Sequence, residues 1–125
     1  MYQTDIPSFY TVHSHYRRRQ HASHWDLRLL SANRKFTYSW ALPLKRFPKK
    51  GERLLAIETA HHSIETLDLE GDLEGGDRME IIETGECTII SLKNTNMVVN
   101  FHGKIIKGVF VLVNIKENNW LLIGK

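Results

Sequence analysis

One cysteine, Cys87, stands among 125 residues, so no internal disulfide can form and no disulfide framework can hold the fold. That usage fits a reducing compartment, and a cytoplasmic protein is expected. Only three prolines occur, and no Pro-rich or Gly-rich linker, repeat or low-complexity segment interrupts the chain. A single domain over residues 1–125 follows, long enough to bury a core without staples. No apolar run approaches the length of a membrane span, and the polar first ten residues do not read as a signal peptide. A soluble monomer with no membrane partner is the expectation.

Acid is scarce where base is dense. Residues 1–64 carry 11 Lys/Arg against 4 Asp/Glu, a net of +7. Residues 65–86 reverse this, with 9 acids against Arg78 alone, and residues 87–125 return to +4. The basic part contains Arg17-Arg18-Arg19, Arg34-Lys35, Lys45-Arg46 and Lys49-Lys50. Such clusters suit a polyanion such as a nucleic-acid backbone, and the acidic stretch reads as a solvated face far from any site.

The apolar pattern has a period of two. Residues 10–16 alternate, with Thr11, His13 and His15 on one face and Tyr10, Val12 and Ser14 on the other. Ala32-Asn33-Arg34 reads as a hairpin turn into residues 35–41, where Phe36, Tyr38 and Trp40 share a core-facing side; Pro43 ends that strand. Further strands are expected at 54–59, 78–84, 87–92, 97–102, 107–115 and 120–123, with Gly85-Glu86 separating two of them. Residues 61–69 lack a clear period and suggest a helical turn. Short strands at this spacing predict an all-β fold, a small, mostly antiparallel barrel of about eight strands.

Residues 23–31 carry the chemistry. As a strand they project His24, Asp26 and Arg28 from one face and Trp25, Leu27 and Leu29 from the other. Imidazole and carboxylate are ligands for a divalent transition metal, and a guanidinium clamps phosphate through its planar fork. If the preceding strand pairs through the loop at 16–22, His15 comes close to His24. Spacing alone leaves His13 and His21 as rival third ligands. Two imidazoles and a carboxylate with open positions suit metal-assisted hydrolysis of a phosphoester.

These residues resemble a known family. His24-Trp25-Asp26-Leu27-Arg28-Leu29 is similar to a motif of the 3′-phosphoesterase domain of bacterial DNA ligase D and its stand-alone relatives. In order along the chain, Ser39-Trp40-Ala41-Leu42-Pro43, Leu55-Ala56-Ile57-Glu58-Thr59-Ala60-His61-His62, Glu70-Gly71, Gly108-Val109-Phe110-Val111-Leu112-Val113 and Trp120-Leu121-Leu122-Ile123 resemble its other blocks. The resemblance implies a β-barrel with a crescent-shaped groove and a manganese-dependent enzyme, or one using another divalent transition metal. Its substrates would be DNA with 3′-phosphate or 3′-ribonucleotide ends, trimmed to 3′-OH in repair by non-homologous end joining, with a DNA ligase or polymerase as possible partner.

By the same resemblance, His15, His24 and Asp26 hold the metal, and His62 and Arg28 are catalytic. Arg28, Lys45, Arg53 and His13 bind phosphate or substrate, while Arg17, Arg18 and Arg19 meet the DNA backbone. The chain departs from the pattern in places. Eight residues separate His15 from His24 where the family has five. Leu44 and Leu54 stand where basic residues are expected, leaving Lys45 and Arg53 each one place away. Such departures unbalance the diesterase and monoesterase steps, and a non-catalytic relative that binds DNA ends or a repair partner is the alternative.

Overall fold

A computed structural model describes residues 3–125 and shows nine strands with three short 3-10 turns. The strands are β1 (Gln3–Arg17), β2 (Ala22–Leu30), β3 (Thr37–Leu42), β4 (Arg53–Glu58), β5 (Gly71–Asp72), β6 (Arg78–Leu92), β7 (Asn96–His102), β8 (Lys107–Lys116) and β9 (Asn119–Gly124). All strand pairings are antiparallel, in the order β1-β2-β3-β4-β9-β8-β7-β6-β5, and β1 also pairs with β6. That last pairing closes eight strands into a barrel, and β5 is added outside it against β6. The all-β barrel expected from the alternation is therefore the fold. Among the described residues no helix is long and apolar enough to cross a membrane.

Alternation decides which side chains fill the barrel. Tyr10 and Val12 of β1, Leu27 and Leu29 of β2, and Trp40 and Leu42 of β3 point inward and join Ile89, Phe101, Leu112 and Leu122 in one core. Trp40 lies in that core and Tyr38 packs on it, while Phe36, just before β3, is half-buried against Tyr38 and His61 instead. Cys87 is buried, and burial pushes its thiol up to about 12, so it is not an activated thiolate.

The pattern misleads at Gly85-Glu86, which is no break: β6 runs through it unbroken. Gly85 pairs with Tyr10, and a Cβ there would lie 3.2 Å from the Tyr10 ring. The glycine serves a close approach within a strand rather than a turn. Residues 64–68 do form a helical turn, a 3-10 segment at Ile64–Asp68.

Glu83 ties the barrel to the β7–β8 connection. Its carboxylate accepts the backbone N–H groups of Lys104, Ile105 and Ile106 at 2.8–2.9 Å and the Tyr10 hydroxyl at 2.6 Å. Burial alone would raise its pKa, but the hydroxyl and three N–H donors override it and bring it down to about 2. Glu83→Gln keeps one accepting oxygen and loses the charge, and is expected to cost about 2 kcal/mol at pH 7, since hydrogen bonds to a charged group are worth about 1.5–3 kcal/mol. Because the folded pKa lies below the ordinary value of 4.5, this stabilisation is present above pH 4.5 and fades toward pH 2. Urea unfolding at pH 7, 4 and 2.5 checks it: the gap between wild type and Glu83→Gln should close at the acid end.

Candidate metal and phosphate site

The face of β2 turned away from the core carries His24, Asp26 and Arg28. Its neighbours bring complementary groups into register: His15 lies opposite His24, His13 opposite Asp26 and Thr11 opposite Arg28 on β1, while Ala41 and Ser39 lie opposite Asp26 and Arg28 on β3. The chemistry therefore sits on the outside of the barrel.

An outer face would ordinarily be wet, yet Thr11, His13, Asp26, Arg28, Thr37 and Ser39 are all buried. The chain after β4 covers them. His62 exchanges two backbone hydrogen bonds with Thr37, the Thr11 hydroxyl donates to the Leu67 carbonyl at 2.7 Å, and His13 Nε2 donates to the Leu69 carbonyl at 2.7 Å. These contacts convert an open sheet face into a roofed groove. A cleft of about 390 Å³ opens beside His24, bounded by Arg17, Ser23, Ala41 and Ile57.

Asp26 is the hub. Its Oδ1 lies 2.9 Å from His24 Nε2, and its Oδ2 lies 3.0 Å from His15 Nδ1 and 3.1 Å from Arg28 Nη2. Burial alone would raise its pKa, but hydrogen bonds from the two histidines and the Arg28 charge outweigh that and hold the carboxyl well below the usual range. The carboxylate is therefore ionised at any physiological pH. Arg28 Nη1 donates to Ser39 Oγ at 2.6 Å, while its Nε–H is buried without an acceptor.

One ligand atom from each of His15, His24 and Asp26 falls within 4.8 Å of the other two. Ligands bound at about 2.1 Å stand at most about 4.2 Å apart, so small side-chain shifts let all three reach one ion. The donor set fits a borderline divalent metal, and the orphan Arg28 Nε–H fits an anion beside it. Neither rival third ligand joins the cluster. His13 is fully buried and committed to Leu69, and His21 is exposed in the turn between β1 and β2, with φ of 47°.

The remaining residues singled out by sequence are less uniformly placed. His62 is exposed, and burial and then the Arg28 charge push its pKa down, so it is within electrostatic reach of the cluster. His61 turns away and stacks on Phe36 with ring centroids 4.3 Å apart. Lys45 Nζ is 3.4 Å from Ser23 Oγ, next to His24 in the chain but not bonded to the cluster. Arg53 lies on β4 opposite Ile123, four residues before the Ile57 that pairs with Ala41. At about 3.3 Å per residue it stands about 13 Å along the strand from that point. His13, read as a substrate contact, instead pins the roof of the groove.

Arg17, Arg18 and Arg19 are exposed, and a 3-10 turn runs over Arg18–Gln20. Two of the arginines also meet acid: the Arg18 N–H donates to Asp77 Oδ1 at 3.0 Å, and Arg17 Nε is 3.9 Å from Asp77 Oδ2. Asp77 belongs to the acidic stretch read as remote from the site, and that reading is overturned. Pairing of β1 with β6 sets His15 opposite Met79, two residues beyond Asp77. Nothing in the linear sequence signals that long-range neighbour.

Two imidazoles, a carboxylate and a buried guanidinium on the flank of a small antiparallel barrel define a site suited to a metal and a phosphate. The sequence matches the DNA Ligase D 3′-phosphoesterase domain family over residues 13–114, a stretch that holds His15, His24, Asp26, Arg28 and His62. The chain belongs to that family. No curated protein matches it.

Proposed function

We propose that this domain is a manganese-dependent 3′-phosphoesterase that trims DNA ends carrying a 3′-phosphate or 3′-ribonucleotide to a 3′-OH. The convergence of His15, His24 and Asp26 beside the unpaired Arg28 Nε–H carries the reading. A divalent ion held by those three ligands would supply Lewis-acid polarisation of a phosphoryl oxygen. Arg28, oriented by Asp26 and Ser39, donates its Nε–H to a phosphate oxygen and offsets charge that develops in the transition state. His62, neutral at pH 7 because its pKa is pushed down, adds a hydrogen bond without adding charge. The Arg17–Arg19 loop and Lys45 guide the DNA backbone toward the cleft, and binding weakens with salt as phosphate contacts demand. A role in end joining beside a DNA ligase or polymerase in the cytoplasm belongs to the same proposal.

The test is a metal titration. Chelator-stripped protein is given a primer-template with a 3′-phosphate and rising Mn²⁺, Mg²⁺ or Zn²⁺, and phosphate release is measured. The expected result is no release without metal and release restored by Mn²⁺. DNA-end binding with no release under any metal would replace this reading with a non-catalytic end-binding relative.

A further inference from the structure

His15 lies two residues before the end of β1, which feeds a turn through Arg18–Gln20 and a His21 with φ of 47°. Something must hold its ring in place. His15 Nδ1 is the nitrogen that faces Asp26, at 3.0 Å. The opposite nitrogen, Nε2, is buried, makes no hydrogen bond of good geometry, and has Asp77 Oδ2 3.5 Å away. Asp77 stands outside the cluster of three ligand donors, so it addresses the back of the ring rather than the ion.

Asp77 is itself held firmly. Its Oδ1 accepts the Arg18 N–H at 3.0 Å, and its carbonyl accepts the Leu73 N–H at 2.8 Å, closing a tight turn. Gly75 and Gly76 in that turn take φ of 79° and 88°, a region that disfavours side chains. Gly76 lies against the Arg18 side chain, so the turn at 73–77 and the β1–β2 connection are in contact.

We propose that Asp77 is the positioning carboxylate of the metal site: when an ion takes the Nδ1 lone pair in place of the hydrogen bond to Asp26, Asp77 accepts the Nε2–H of His15, and through Arg18 it clamps the β1–β2 connection. A metal-bound histidine commonly donates its other N–H to a carboxylate, which fixes both tautomer and ring orientation. Asp77 would thus keep the third ligand ordered beside the exposed turn at Arg18–Gln20. This inference rests on the metal-site reading above.

Two measurements test it. Long-range ¹H–¹⁵N NMR of the wild type loaded with diamagnetic Zn²⁺ should place the His15 proton on Nε2, with Nδ1 turned to the metal. In Asp77→Asn the amide oxygen still accepts from Arg18, but the NH₂ now points a donor at Nε2 and opposes the Nε2–H that a metal-bound Nδ1 requires. Mn²⁺ affinity measured by calorimetry should then fall about 10–100-fold, the usual cost of losing such a partner. The melting temperature of the metal-free variant should stay near the wild-type value.

A Zn²⁺-loaded wild-type His15 protonated on Nδ1 overturns the proposal, and needs no variant to be read. So does Asp77→Asn binding Mn²⁺ as tightly as wild type while His24→Ala does not bind it. A wild type that binds no divalent metal overturns the site reading and this inference with it.

Discussion

Replacing His24 by alanine is expected to abolish Mn²⁺-dependent release of 3′-phosphate, lowering the rate at least about a thousandfold, while the protein stays folded. Loss of one of three protein ligands removes the ion at ordinary concentrations, and several kcal/mol of transition-state charge stabilisation go with it; about 4 kcal/mol is a factor of a thousand. The side chain is on the outer face, apart from the barrel core, so core packing is untouched. Asp26 keeps His15 and Arg28 as partners. Stability should therefore change by no more than about 1 kcal/mol. Asp26 is the poorer probe. Neutralising it strands the 5%-exposed Arg28 without its counter-charge, and breaking a buried ion pair costs about 3–5 kcal/mol. A rate assay run beside urea unfolding separates the outcomes. Full activity in a folded His24→Ala protein would remove the site assignment altogether.

Most of the barrel and the first two candidate ligands were legible in the sequence because strands write their faces at every second residue. His24, Asp26 and Arg28 against Trp25, Leu27 and Leu29 is such a pattern, and the faces divide as it states. His15 was reachable because one hairpin register joins it to His24. Local pattern stops where contacts come from far along the chain. The roof of the groove pairs Thr11 with Leu67 and His13 with Leu69, each 56 residues away. Asp77 reaches Arg18 over 59 residues. Such neighbours are set by barrel closure through β1 and β6, which leaves no local period to read. Gly85 shows the converse error, since its role depends on a Tyr10 ring supplied by another strand. Ser39 lay within a recognised block, yet its hydroxyl bond to Arg28 follows only from the β2–β3 register.

Trp40 joins fold and site most closely, and its substitution should cost the barrel a large part of its stability. The side chain is fully buried, edge-on to Trp120 and stacked with Tyr38, each with centroids 5.7 Å apart. Trp40→Ala removes an indole from the core, a change that costs about 3–5 kcal/mol in cores generally. Trp40 also walls a cavity of about 350 Å³ with Glu58 and Trp120, so water can enter part of the space left behind, and the cost should fall near about 3 kcal/mol. For a chain of this size that lowers Tm by about 10–15 °C. The flanking Ser39 and Ala41 face the opposite side of β3, against Arg28 and Asp26, so loosening the strand should weaken metal binding as well. Trp40→Phe separates packing from polarity. The Trp40 Nε1–H is buried with no protein acceptor, so phenylalanine keeps much of the aromatic packing and loses no protein hydrogen bond. It should cost less than about 1.5 kcal/mol and retain metal binding. Calorimetric melting of both variants decides the matter: equal losses in the two would mean that the indole N–H, rather than the ring, holds this part of the barrel.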